Sequence, residues 1–191
     1  MKDFLALVIQ LIIEMFKGFG LCYIAYLLLN AFVKNKSALL KFNEVSFKVI
    51  SFIGLVYLAL LVISICLSYL FGNAFEKYAV LYGLFGFNWK GFWLQVSLYT
   101  VATQLVRFKK IRSSKVLMFM LSLVLLSSIE MVVFLITSFH VNFLPFQMAI
   151  WTFIVQMILI TVLRMIVYIG LVSAFYFMNE QVKKFRFADT K

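Results

Sequence analysis

The chain has 191 residues, 65% of them hydrophobic and 13% charged, with a formal net charge of +11, one proline and eight glycines. A mean hydropathy of +1.05 excludes a water-soluble domain, whose surface would itself have to be mostly hydrocarbon. The apolar runs are unbroken rather than alternating, which argues against a barrel and for helices, because lipid offers the backbone no hydrogen-bond partner.

A spanning helix takes about 20 apolar residues. Stretches of that kind lie at roughly 8–33, 47–71, 89–106, 116–138 and 147–177. The expected fold is therefore all-α: a polytopic transmembrane helical bundle of about five spans, forming a single integral membrane domain over 1–191 with no internal repeat. Lys2 opens a stretch that imitates a signal peptide. Glu14 interrupts its apolar run and no small-x-small site follows, so the stretch is expected to be retained. Cys22 and Cys66, the two cysteines, both fall in apolar runs and suggest small buried hydrophobes rather than a disulfide framework.

Positive charge collects in alternate gaps. The first holds Lys34, Lys36, Lys41 and Lys48 against Glu44, and the third holds Arg107, Lys109, Lys110, Arg112 and Lys115. The tail adds Lys183, Lys184, Arg186 and Lys191 against Glu180 and Asp189, so that these three segments carry ten of the eleven net charges. Short basic loops stay on the cytoplasmic or matrix side, which predicts the N-terminus out and the C-terminus in. A bacterial cytoplasmic (inner) membrane or an organellar inner membrane is the expected location. The Phe- and Lys-rich, Pro-poor composition fits an AT-rich genome of either origin. Arg107, Lys109, Lys110 and Arg112 are also candidates for contact with anionic lipid head groups or an acidic partner. The charges are sorted by membrane side rather than gathered into a docking face, so no nucleic-acid partner is expected.

The outer gap 72–88 is apolar, aromatic and too short to span. It is expected to lie in the interface or to dip into it, with Trp89 and Lys90 marking the head-group level at the start of span three. The gap from Phe139 to Phe146, containing His140 and Pro145, is tight and predicts an antiparallel hairpin between spans four and five.

Ionisable residues within the spans are where function should show, because each costs a few kcal/mol near the bilayer centre. Glu14, Lys17, Glu130 and Arg164 are the candidates. Counting outward from a turn near residue 142 or 143 puts Arg164 about 13 Å away in depth from Glu130 at 1.5 Å per residue. Gln156 faces Glu130 better. Lys17 matches Glu130 in depth and is its preferred partner, which leaves Arg164 to another helix, a partner chain or the head groups. Polar stripes at helical spacing run through Gln10, Glu14 and Lys17; Gln95, Tyr99 and Thr103; Ser127 and Glu130; and Thr161, Arg164 and Tyr168. On span two, Ser64 and Ser68 have the spacing that permits close helix approach.

One histidine cannot supply a bis-histidine haem, and no attachment, P-loop, dinucleotide or hydrolase motif occurs, so no cofactor, metal or catalytic set is expected. The function expected is that of a non-catalytic integral subunit of a larger membrane protein complex, with buried polar faces that specify packing against other subunits. The alternatives are a small transporter or channel with a polar path around Glu14, Lys17, Glu130 and Arg164, and a membrane enzyme acting on lipid-like substrates.

Overall fold

The computed structural model describes residues 2–32, 37–87, 89–127 and 147–188, and all regular structure among them is helical. The helices are α1 (Lys2–Phe32), α2 (Ser37–Phe71), α3 (Ala74–Phe85), α4 (Trp89–Leu105), α5 (Lys109–Ser113), α6 (Lys115–Leu126) and α7 (Gln147–Ala188). None contains proline, so no helix interior lacks a backbone donor.

Among the described residues three stretches are long and apolar enough to cross a membrane: Phe4–Asn30, Leu39–Phe71 and Ile158–Asn179. They correspond to the first, second and fifth expected spans and point to a membrane protein. Helix α2 begins ten residues before the expected start of its span, because the amphipathic stretch around Lys41, Asn43 and Glu44 continues the helix beyond the apolar run. Helix α4 has 17 residues, about 25 Å at 1.5 Å per residue. It falls short of the roughly 30 Å hydrocarbon thickness. Helix α6 (12 residues, Lys115–Leu126) covers the start of the fourth expected span, from 116 to 126. The part of that span after residue 127, Glu130 included, and the expected hairpin with His140 and Pro145 lie outside the described residues.

The breaks between helices have local causes. After Gly72, Asn73 caps α3: its side chain accepts from the Glu76 amide at 2.8 Å, while the Glu76 carboxylate accepts from the Asn73 amide at 3.2 Å. This reciprocal box starts a helix where the apolar run of α2 ends. The expected interfacial segment is thus the separate helix α3, with Phe75, Tyr78 and Phe85 exposed. Trp93 of α4 ties its far end down by donating to the Leu84 carbonyl at 3.2 Å. Between α4 and α6, Phe108 and Ser114 are single extended residues on either side of the short basic helix α5.

Helix α1 is central and packs against α2, α6 and α7. Its fully buried Phe16 meets Tyr57 of α2 and Tyr99 of α4, both edge-on at 5.4 Å, and Phe19 meets Tyr168 of α7 at 5.9 Å. Such edge-to-face contacts contribute about 0.5–1.5 kcal/mol each beyond the area they bury. Glycines permit this closeness. A Cβ at Gly18 would lie 2.9 Å from the Arg164 carbonyl oxygen and 2.9 Å from the Tyr168 Cβ, and one at Gly20 would lie 2.6 Å from the Ser122 carbonyl oxygen. The two glycines bring α7 and α6 onto different sides of α1. On α2 a close approach falls at Gly54, where a Cβ would run into the Thr103 side chain of α4. Ser64 and Ser68, expected to serve that purpose, are only half-buried.

The paired residues give the helix directions. Residues 16 and 19 of α1 meet 57 and 47 of α2, so these two helices are antiparallel, and 57 and 54 of α2 meet 99 and 103 of α4, an antiparallel pair again. Residues 14 and 19 of α1 meet 164 and 168 of α7, which makes α1 and α7 parallel. The polar stripes of α4 and α7 are inward-facing in part, with Arg164 of α7 turned to an outer groove. Tyr99, Thr103 and Tyr168 are buried, and the Tyr168 hydroxyl lies 2.7 Å from the Ser46 hydroxyl of α2.

Candidate functional site

Helix α1 carries Gln10, Glu14 and Lys17 on one face, and α7 carries Arg164, four residues before the buried Tyr168. Because Gly18 lets the two parallel helices touch, Glu14 and Arg164 come together midway along both. The Arg164 Nε donates to Glu14 Oε2, and the Lys17 ammonium donates to Glu14 Oε1 at 2.9 Å. One carboxylate thus holds two cations, one on each oxygen. The cluster carries a net charge of +1. Its side chains are partly accessible, at 18% for Lys17, 25% for Arg164 and 28% for Glu14.

That accessibility faces outward. A groove of about 320 Å³ between α1 and α7 is lined by Gln10, Leu11, Glu14, Leu163, Arg164 and Val167, among others. Leu11, Leu163 and Val167 are exposed around it. On the opposite side of α1, close to the same level, Phe16 is completely buried against Tyr57 and Tyr99. The charges therefore sit at an apolar outer face, and aromatic rings occupy the space behind them.

Three of the five intramembrane candidates, Glu14, Lys17 and Arg164, are brought into one cluster. Gln156 is exposed and lies two turns of α7 away from Arg164. Glu130 lies outside the described residues, and so does its expected pairing with Lys17; the ammonium of Lys17 rests on Glu14, one turn back on its own helix. Arg164, left without a partner by depth counting, finds one on α1. Hairpin arithmetic from residue 142 compares only α6 with α7, and so passes over a parallel neighbour that is distant in sequence. Gly18 was missed too, although Gly18-Phe19-Gly20 is a conspicuous pair of gaps in a helix otherwise rich in large side chains.

The second group of candidates lies where α4 ends. Arg107 Nε donates to the Ser51 hydroxyl of α2, and Gln104 Nε2 donates to the Ser51 carbonyl at 3.1 Å. The Arg112 guanidinium lies 5.8 Å from the centre of the Phe47 ring and donates from Nη2 to the Arg107 carbonyl at 3.3 Å. Lys109 and Lys110 are exposed on α5. Cations from the first and third gaps therefore share one end of the bundle, around Lys48, Arg107 and Arg112.

Cys22 is half-buried and Cys66 exposed, both as free thiols. Among the described residues no group of three or more His, Cys, Asp or Glu side chains is placed to hold a metal ion. The fold and its sites define a helical protein with three helices long and apolar enough to cross a membrane and an ionic cluster on an outer face. Comparison with protein-family models, with curated proteins and with solved structures finds no match for the chain.

Proposed function

We propose that the chain is a non-catalytic integral subunit of a larger membrane assembly, and that its Glu14–Lys17–Arg164 cluster receives a carboxylate from a helix of a neighbouring subunit. The observation that carries this reading is the cluster's excess positive charge beside a groove lined with exposed Leu11, Leu163 and Val167. An uncompensated cation near mid-bilayer costs about 2.5–3.5 kcal/mol on insertion scales. A carboxylate seated in the groove offsets that cost, and apolar side chains of the same helix cover the leucines. A transport path gains less support, because Phe16, Tyr57 and Tyr99 pack the interior side of α1 where such a path would run.

The test is a photo-crosslinking residue at Leu163, used in the native membrane. It is expected to trap a second chain through a membrane segment containing Asp or Glu, and Arg164→Leu should abolish the crosslink while the chain still inserts. Crosslinking only to lipid would overturn the reading. So would loss of the crosslink on Glu130→Gln, which would assign the compensating acid to this chain. A reconstituted chain that moves solute, with flux but not assembly lost on Arg164→Leu, would favour the transporter.

The five-crossing arrangement belongs to the same proposal, with α4 and the α6 segment as third and fourth crossings, the N-terminus outside and the C-terminus inside. The alternating directions of α1, α2 and α4, the parallel run of α1 and α7, and the shared end of two basic gaps support it. In a chain with Cys22 and Cys66 replaced by serine, a cysteine at the exposed Lys77 should react with an impermeant maleimide in intact cells. One at the exposed Lys110 should react only after lysis. The opposite pattern would invert the topology.

A further inference from the structure

Two adjoining clefts at the basic end of the bundle share Phe47 and Arg112. The first, about 270 Å³, is lined by Phe47, Lys48, Ser51, Phe52, Val106, Arg107 and Arg112. The second, about 390 Å³, adds Lys109 and Lys115 together with Tyr23, Tyr26 and Glu44. Five cations surround the pair, and Glu44 is the one acid among the described residues that line it. These cations come from two gaps more than fifty residues apart in sequence. The fold gathers them by pinning Arg107 to Ser51 and laying Arg112 over Phe47.

Topology alone would be served by charges scattered in solvent. Here Arg112 is placed differently: its Nε is buried and has no hydrogen-bond partner among the described residues. A buried guanidinium donor without an acceptor is costly, and the same Arg112 side chain lines both clefts, where an anion would offset its charge. The walls narrow the choice of anion. Phe52, 60% exposed, continues the first cleft onto the apolar flank of α2, with the buried Val106 beneath it. A polar pocket that opens onto an apolar wall suits a molecule with a charged head and a hydrocarbon tail.

We propose that this cleft binds the phosphodiester head group of an anionic phospholipid. Arg112 and Arg107 hold phosphate oxygens, Lys48 and Lys109 add charge at the rim, and an acyl chain lies along Phe52. Guanidinium forks match phosphate oxygens in geometry as well as charge. Each cation near an anionic head group is expected to contribute about fivefold in affinity.

The experiment uses the full chain in nanodiscs of phosphatidylcholine containing one-fifth phosphatidylglycerol, with retained lipid counted by native mass spectrometry after release. The parent should retain phosphatidylglycerol in excess of its share. Lys48→Gln, at an exposed position that does not threaten the fold, should lower retention about fivefold, and Arg107→Gln with Arg112→Gln should remove the preference. Lys77→Gln with Lys90→Gln, near the other end of α4, should change nothing. Equal retention in parent and Lys48→Gln, or an equal loss in the Lys77/Lys90 control, would overturn the proposal. Millimolar inorganic phosphate should not displace the lipid; if it does, and if phosphate stays bound in pure phosphatidylcholine, the site belongs to a soluble phosphate instead.

Discussion

Glu14→Gln is expected to damage the protein far more than Arg164→Leu, although the two residues form one ion pair. The reason is the sharing of a single carboxylate by two cations. Removing Glu14 leaves Lys17 and Arg164 uncompensated beside the exposed Leu11, Leu163 and Val167. Deleting the partner that neutralises a fully buried pair costs about 3–5 kcal/mol, an upper bound for this partly accessible cluster. Arg164→Leu has the opposite bookkeeping, because Glu14 stays paired with Lys17 and the excess charge disappears. That change should cost about 1 kcal/mol, the net worth of one hydrogen bond, and Lys17→Leu should behave alike because Glu14 keeps Arg164. Unfolding in mixed detergent and dodecyl sulfate, followed by far-ultraviolet ellipticity, gives the order. If Arg164→Leu proved the more damaging, the guanidinium would hold the helices together through groups other than Glu14. The same variants also separate fold from function: Arg164→Leu should keep the bundle and lose the partner chain, whereas Glu14→Gln should lose both.

How far the sequence foretells this arrangement depends on the range of the interaction concerned. The helical class and the long apolar helices follow from hydrocarbon runs, which are a local property. The stripe spacings of three and four residues agree with the burial of Tyr99, Thr103 and Tyr168, but not with Arg164, which the same spacing puts beside Tyr168 and which faces an outer groove. The capping of α3 could also be read, since Asn73 and Glu76 stand three apart just before an apolar run. Pairings between helices are a different matter. Spacing identifies the face that carries Glu14 and the face that carries Arg164, but it cannot say that α1 and α7 are neighbours. Depth counting relates only helices joined by a short turn. A contact between positions 150 residues apart needs the packing itself, and that packing depends on residues without side chains, which leave no hydrophobic pattern to read.

Gly18 allows the sharpest test of that packing, because helix propensity and packing predict opposite signs. In a helix interior, Gly→Ala ordinarily gains about 1 kcal/mol. That gain is expected for Gly170→Ala, well inside α7, where an added Cβ would meet nothing within 4 Å. At Gly18 the new methyl would press on the Arg164 carbonyl and the Tyr168 Cβ, both at 2.9 Å, and neither can swing aside without moving α7. Overpacking of that kind costs about 1–3 kcal/mol, so Gly18→Ala should destabilise, and Gly18→Leu should drive α1 and α7 apart. Separation would also pull Arg164 away from Glu14 and Tyr168 away from Phe19, so the ion pair and the glycine contact are one cooperative unit. A double-mutant cycle reads this coupling directly. Gly18→Ala combined with Arg164→Leu should cost less than the two single changes added together, because the displaced helix no longer carries an ion pair to break. Strict additivity in the same unfolding assay would show that α7 can shift at Gly18 without disturbing Arg164, and that the cluster depends on some other contact for its geometry.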